Sequence, residues 1–139
     1  IAFGACGAAR ACYEAALAYS LERNQFDQPI AGFQLTQRKL VEMMVKVQQG
    51  TLLAIHLGRM KDAGTLATPQ ISFGKMQNVR SALEVARTAR SVLGANGITT
   101  EYPVIRHMNN LESVLTYEGT DEIHTLILGQ AITGISAFA

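Results

Sequence analysis

Glu118 stands in the run Thr116-Tyr117-Glu118-Gly119-Thr120, with Asp121-Glu122-Ile123-His124 directly after it. A carboxylate between an aromatic residue and a glycine, just ahead of a helix, is a candidate proton-abstracting base. Such a base must lie within reach of its proton and have a pKa suited to it, and partial burial raises a carboxylate's pKa by disfavouring the charged form. Gly119 permits close backbone approach to a substrate, and Thr120 can cap the following helix while offering a hydroxyl. An ordinary helix N-terminus, with acidic side chains favoured by the helix dipole, explains the same residues on chemistry alone.

Two other places carry groups suited to binding. Arg23 ends the first long apolar segment and reads either as a cation favoured by a helix C-terminus or as a phosphate-binding guanidinium. Leu93-Gly94-Ala95-Asn96-Gly97 is a weak phosphate-loop signal and equally a helix stop built from left-handed residues. Metal chemistry has little to stand on. His56, His107 and His124 lack zinc-ligand spacing, and Cys6 and Cys12 form no Cys-x-x-Cys pair. Six apart on one helix, the cysteines point to different faces, so a disulfide between them is geometrically implausible and both read as packing residues of a reducing compartment.

The elements that must position these groups read as nearly all helix. Ala- and Gly-rich sequence predicts a first helix over Ile1 to Asn24, with small residues such as Ala8 and Ala15 allowing close contact. Leu40, Met44, Val47 and Ile55 recur at mostly three- and four-residue steps between charged residues, predicting an amphipathic helix from Gln34 to Ala63 with Gly64 as its stop. Thr68 before Pro69 predicts an N-cap and first turn for a third helix running to Val92. A short helix is expected over Pro103 to Leu111, and a last one from Thr120 to Gly134 with Ile123, Leu126, Ile127 and Ile132 available to a core. Only short pieces near Ile98 and Val114 leave strand open. Long helices with short links predict an all-α antiparallel helical bundle.

The bulk properties agree. A chain of 139 residues, 48% hydrophobic, can bury one sizeable core, which makes a single domain the expectation. A net charge of +1 with 17% charged residues gives no field to attract nucleic acid. No apolar run approaches the roughly 20 residues of a membrane span, and no signal-peptide pattern opens the chain, so a soluble protein is expected.

Three motifs, Arg23-Asn24-Gln25-Phe26, Leu93-Gly94-Ala95-Asn96-Gly97-Ile98 and Tyr117-Glu118-Gly119-Thr120, stand in an order that resembles the C-terminal domain of acyl-CoA dehydrogenases, and the stretch from Arg106-His107-Met108-Asn109-Asn110 through Gly134 strengthens the likeness. The resemblance covers nearly the whole chain and looks most like the glutaryl-CoA-specific members. It implies that Glu118 removes the alpha proton of an acyl-CoA thioester while hydride leaves the beta carbon for flavin adenine dinucleotide (FAD), followed for glutaryl-CoA by loss of carbon dioxide from glutaconyl-CoA to give crotonyl-CoA. It places Tyr117 and Gly119 at the substrate. It places Arg23, Asn24, Gln25, Phe26, Phe33, Gln34, Ser91, Val92, Leu93, Gly94, Ala95, Thr120 and Glu122 at the FAD, held partly across a subunit boundary. Two departures stand out: Asp27 follows Phe26 where the family usually has glycine, and Ala95 stands where a second glycine is usual.

The same resemblance implies that residues 1–139 are one C-terminal domain, that the family's N-terminal helical and β domains lie upstream of this chain, and that this piece alone holds FAD weakly. It further implies a homotetramer, an electron-transfer flavoprotein as acceptor, and a bacterial cytoplasmic or mitochondrial matrix location. Two alternatives remain at this stage: a short or branched acyl-CoA substrate, and a helical oligomerisation module without catalysis.

Overall fold

In the computed structural model, which describes residues 1–138, the expected helical bundle forms from five helices: α1 (Ala2–Glu22), α2 (Gln34–Asp62), α3 (Thr68–Leu93), α4 (Val104–Thr116) and α5 (Asp121–Thr133). α3 is the axis of the bundle and packs against each of the other four. The contact with α1 is close because α1 buries only small side chains, Ala5, Ala8, Ala9, Cys12, Ala16 and Ser20, at helical spacing. On α3 the buried stripe includes Val79, Ala82, Ala86 and Ala89, so two narrow ridges interlock. Met43, Leu93, Val104 and Leu111 add the bulk of the core.

Helix ends follow local chemistry. Gly64 lies just beyond α2 at φ +69, the left-handed stop expected of it. Thr120 caps α5, its Oγ1 accepting the Ile123 N–H at 3.3 Å. Thr68 does not cap α3 as expected: it is the first helical residue, Ala67 holds the cap position, and the Ala67 N–H donates to the Gln70 side chain at 2.7 Å. The reason is that Gln70 reaches back to the cap backbone, which moves the start one residue earlier.

The open strand pieces resolve as helix, with Ile98 closing a 3-10 turn (Gly94–Ile98) and Val114 buried within α4, which runs five residues past Leu111. A hairpin that the pattern did not predict lies between α1 and α2: β1 (Asn24–Gln25) pairs antiparallel with β2 (Gln28–Pro29). Phe26 and Asp27 form its tip at φ 53 and 61, the handedness of a two-residue hairpin turn that normally selects Asn-Gly.

Several apolar residues expected in the core are exposed instead. Ile132 and Ile123 of α5 and Met44 and Ile55 of α2 face outward, because α5 packs chiefly on α3 and the outer face of α2 has no neighbour within the described residues.

Candidate active site and cofactor cleft

The loop between α4 and α5 concentrates its chemistry in a tight space. Glu118 adopts φ 56 and Gly119 φ 92, so a non-glycine residue is held in the left-handed region beside one that enters it freely. Beneath them lies Lys75 of α3, 5% exposed, whose Nζ donates to the Gly119 carbonyl at 2.7 Å and to the Leu115 carbonyl at 3.1 Å. Burial pulls the Lys75 ammonium below its ordinary pKa, while the charges of Asp121 and Glu118 pull the other way. His124, on the first turn of α5, is buried against the loop: a methyl group added at Gly119 would sit 3.0 Å from its Nε2. Neither ring nitrogen makes a hydrogen bond of good geometry among the described residues. Burial and the nearby Lys75 charge lower its pKa, which keeps the imidazole neutral at pH 7. On the other side of Lys75, Arg80 grips Asp121 with two parallel bonds of 2.7 and 2.5 Å, docking the start of α5 on α3.

Glu118 and His124 open onto a pocket of about 450 Å³, walled by Phe3 of α1, Leu57 of α2, Leu66 and Ile71. A largely apolar cavity lined also by Lys61, Lys75 and one carboxylate suits a ligand with a hydrocarbon arm and an acidic C–H. The partial burial expected of Glu118 is not met within this chain: the residue is exposed, since these walls enclose the pocket on one side only. Tyr117 and Gly119 flank Glu118 in sequence but line no part of the pocket, and Tyr117 is exposed.

A second cleft, about 510 Å³, lies where the end of α1, the hairpin and the 3-10 turn meet. Arg23, Gln25, Val92, Leu93, Gly94 and Ala95 line it, so six of the expected cofactor residues are brought together. The end of α1 is fixed by two backbone bonds, Arg23 N–H to the Tyr19 carbonyl at 2.9 Å and Ile30 N–H to the Arg23 carbonyl at 2.8 Å. Across the cleft the Asn96 amide donates to the Tyr19 hydroxyl at 3.1 Å. Gly94 sits at φ 60, and a Cβ added there would meet nothing within 4 Å, which leaves its backbone open to a ligand. Gly97 is the opposite case: a Cβ there would lie 2.4 Å from the Arg90 carbonyl oxygen, so only glycine lets the turn lie on α3.

The remaining expected cofactor residues fall outside that cleft. The Asn24 amide turns back to the Glu22 carbonyl at 3.3 Å, and Ser91 accepts from Lys39 at 3.0 Å. Phe26, 88% exposed at the hairpin tip, meets Phe33 edge to face at 6.2 Å. Gln34 begins α2, exposed. Thr120 and Glu122 lie at the start of α5 beside Glu118. Sequence reasoning missed Lys75 and His124. For Lys75 a signal existed: it falls four residues before Val79 on the buried stripe of α3, where a lysine calls for a partner.

Fold and site together define a helical domain that presents a strained carboxylate over an apolar pocket and a polar cleft at its other end. The family "Acyl-CoA dehydrogenase, C-terminal domain" matches residues 1–133. A crystal structure of glutaryl-CoA dehydrogenase from Mycobacterium smegmatis superposes with a TM-score of 0.98 at 68% identity, covering 100% of this chain and 36% of that one. A second glutaryl-CoA dehydrogenase from the same organism, in complex with FADH2, gives 0.97 at 55% identity over 99% of this chain and 36% of its own. Glutaryl-CoA dehydrogenase of Desulfococcus multivorans is 34% identical over 135 residues, 96% of this chain and 35% of that protein. The chain belongs to the acyl-CoA dehydrogenase family and corresponds to its C-terminal domain. It spans about a third of the length of these relatives. No helix among the described residues is long and apolar enough to cross a membrane.

Proposed function

We propose that this chain is the C-terminal domain of an FAD-dependent acyl-CoA dehydrogenase that converts glutaryl-CoA to crotonyl-CoA and carbon dioxide, with Glu118 as its general base. The observation that carries the reading is the backbone of Glu118. Holding a non-glycine residue at φ 56 costs about 1–2 kcal/mol, and strain of this kind gathers at working sites. Here it sets a carboxylate at the mouth of an apolar pocket. Likeness over the whole chain, at 68% identity, to a glutaryl-CoA dehydrogenase supports the substrate class.

In this reading the acyl arm enters the pocket between Phe3, Leu57 and Ile71, and the Glu118 carboxylate takes the alpha proton of the thioester. Tyr117 shapes the approach, and Gly119 lets the thioester close on the backbone. The FAD supplies the acceptor for the beta hydride when bound. The cleft at the end of α1 fits part of that group: Arg23 brings a cation and Gln25 an amide for a diphosphate, and Gly94 leaves its backbone accessible. Asn24, Phe26, Phe33, Gln34 and Ser91 border the same end, whereas Thr120 and Glu122 belong to the Glu118 end. Two separated sets on one chain agree with an FAD shared between two subunits. The remaining walls of the pocket, and the group that receives the distal carboxylate, are assigned to N-terminal helical and β domains.

A homotetramer is part of the proposal. Val41, Val45, Leu52 and Ile55 form one exposed apolar stripe along α2, a face of the kind that pairs between subunits. An electron-transfer flavoprotein is the proposed acceptor, on the family likeness. The test is Glu118→Gln in the full-length enzyme, mixed anaerobically with glutaryl-CoA. Flavin content stays at the parent level while bleaching of the flavin slows by about 10²–10⁴-fold or more; bleaching at the parent rate removes Glu118 as the base. Carbon dioxide release separates glutaryl-CoA from a short or branched acyl-CoA.

A further inference from the structure

We propose that Lys75 is the positioning residue of the Glu118 loop: its ammonium ties the C-terminal end of α4 to the Gly119 carbonyl and thereby holds Glu118 in its left-handed conformation at the pocket. The inference rests on the reading of Glu118 as the base and adds how the base is kept in place.

The geometry is that of a clamp. Leu115 lies in the last turn of α4, where carbonyls lack a helical partner and the helix dipole favours a cation. Tyr117 N–H still bonds to the Ser113 carbonyl at 3.0 Å, so the helix ends there and the chain turns. Gly119 is four residues beyond Leu115, yet its carbonyl and that of Leu115 meet on one Nζ at 2.7 and 3.1 Å. One buried ammonium therefore closes the loop that contains Tyr117 and Glu118, from a helix that is the axis of the bundle. His124 lies against Gly119, its Nε2 3.0 Å from where a Cβ would stand, so any side chain there would press on the ring. Of the two anionic neighbours of Lys75, Asp121 is itself committed to Arg80 and Glu118 is the carboxylate that the clamp positions. Lys75 is thus left to serve the two carbonyls.

Removing the clamp frees the loop to relax toward ordinary φ values, and the carboxylate leaves its position. A misplacement of about 1 Å lowers a proton-transfer rate by as much as about 10²-fold. Lys75 also lines the pocket, but its Nζ is committed to the two carbonyls, so substrate binding carried by Phe3, Leu57 and Ile71 is expected to change little. The experiment uses the full-length, flavin-bound enzyme with Lys75→Met, Lys75→Arg, Lys75→Gln and the pair Lys75→Met with Glu118→Gln. Stopped-flow bleaching by glutaryl-CoA gives the limiting rate and the substrate Kd separately, and alpha-deuterated substrate reports on the proton step.

Lys75→Met is expected to lower the limiting rate by about 10- to 100-fold with Kd within about threefold and a larger isotope effect. Lys75→Arg, which keeps a cation with several donors, recovers most of the loss. The paired variant is no slower than Glu118→Gln alone, since one residue acts through the other. A Lys75→Met rate within about twofold of the parent overturns the proposal, as does a fall matched by lost substrate or flavin binding. Should Lys75→Met not fold, Lys75→Gln, whose shorter amide reaches one carbonyl at most, must still lower the limiting rate by about fivefold or more, and a parent-like rate overturns the proposal equally. A parent-like rate in Glu118→Gln alone would instead sink the reading of the base, which keeps the two failures apart.

Discussion

Replacing Gly97 with alanine is the most exacting test of the packing that builds the cleft proposed for the cofactor. The added carbon would sit 2.4 Å from the Arg90 carbonyl oxygen, 2.9 Å from its Cα and 3.0 Å from its carbonyl carbon. The first of these distances is about 1 Å short of ordinary contact. All three atoms are backbone of α3, so no rotamer change relieves the overlap, and the 3-10 turn must lift away from the helix. Overpacking of this kind costs about 3 kcal/mol, at the upper end of its range, because the obstruction is rigid. For a domain of this size that lowers the melting temperature by about 12 °C. Far-UV circular dichroism on heating measures it. The same displacement carries Gly94 and Ala95 out of the cleft and breaks the Asn96–Tyr19 bond, so the full-length enzyme should also retain less FAD. A variant that melts within about 3 °C of the parent would refute the rigid-contact argument, since the overlap could then be absorbed almost without loss.

Gly7, exposed on α1 with nothing within 4 Å of an added Cβ, behaves in the opposite way: Gly7→Ala should stabilise by about 0.5–1 kcal/mol, raising the melting temperature by about 2–4 °C, and a fall would show that α1 needs the glycine. Arg80 holds the Asp121 carboxyl below its ordinary pKa of 3.8, so its contribution is present above that value and is lost as pH falls through the lower folded value. Arg80→Gln should cost about 0.5–1 kcal/mol near neutrality and much less in acid, because the pair is partly exposed; an equal loss at about pH 7 and about pH 2.5 would contradict the linkage. Cys12 is fully buried and its thiol is pushed up to about 11, whereas Cys6 is half-buried. Iodoacetamide applied to the native protein should label Cys6 first and spare Cys12 until unfolding, as mass spectrometry of the peptides would show.

The long helices were legible because their periodicity is regular and their stops are chemical. The α2 boundaries came within a residue, from apolar steps ending at Gly64. The hairpin was not legible, because its tip uses Phe26 and Asp27 where a two-residue turn of that hand normally shows Asn-Gly. The backbone at Asp27 is left-handed, a region that glycine enters freely and aspartate tolerates. Exposed Ile132 and Ile55 defeated a core reading because periodicity identifies an apolar face and not what covers it. Within the site, Glu118 and the cleft residues were marked by three motifs in the order of the resembling family, since their types alone also fit a helix N-terminus and a helix stop. Lys75 and His124 were not, since their part depends on which carbonyls and which glycine the fold brings beside them, and that adjacency spans more than forty residues of chain for Lys75.

The left-handed backbone of Glu118 also bears on what selection for robustness would do to this protein. Glycine at that position would relax the loop and raise stability by about 1 kcal/mol, and asparagine would retain a polar side chain with less strain. A laboratory search for heat-resistant variants, run without a demand for turnover, should therefore enrich changes at Glu118 ahead of most surface positions. Glu118, one of three non-glycine residues at positive φ with Phe26 and Asp27, would then be among the first discarded, and on the proposed reading its presence serves work that stability alone does not reward.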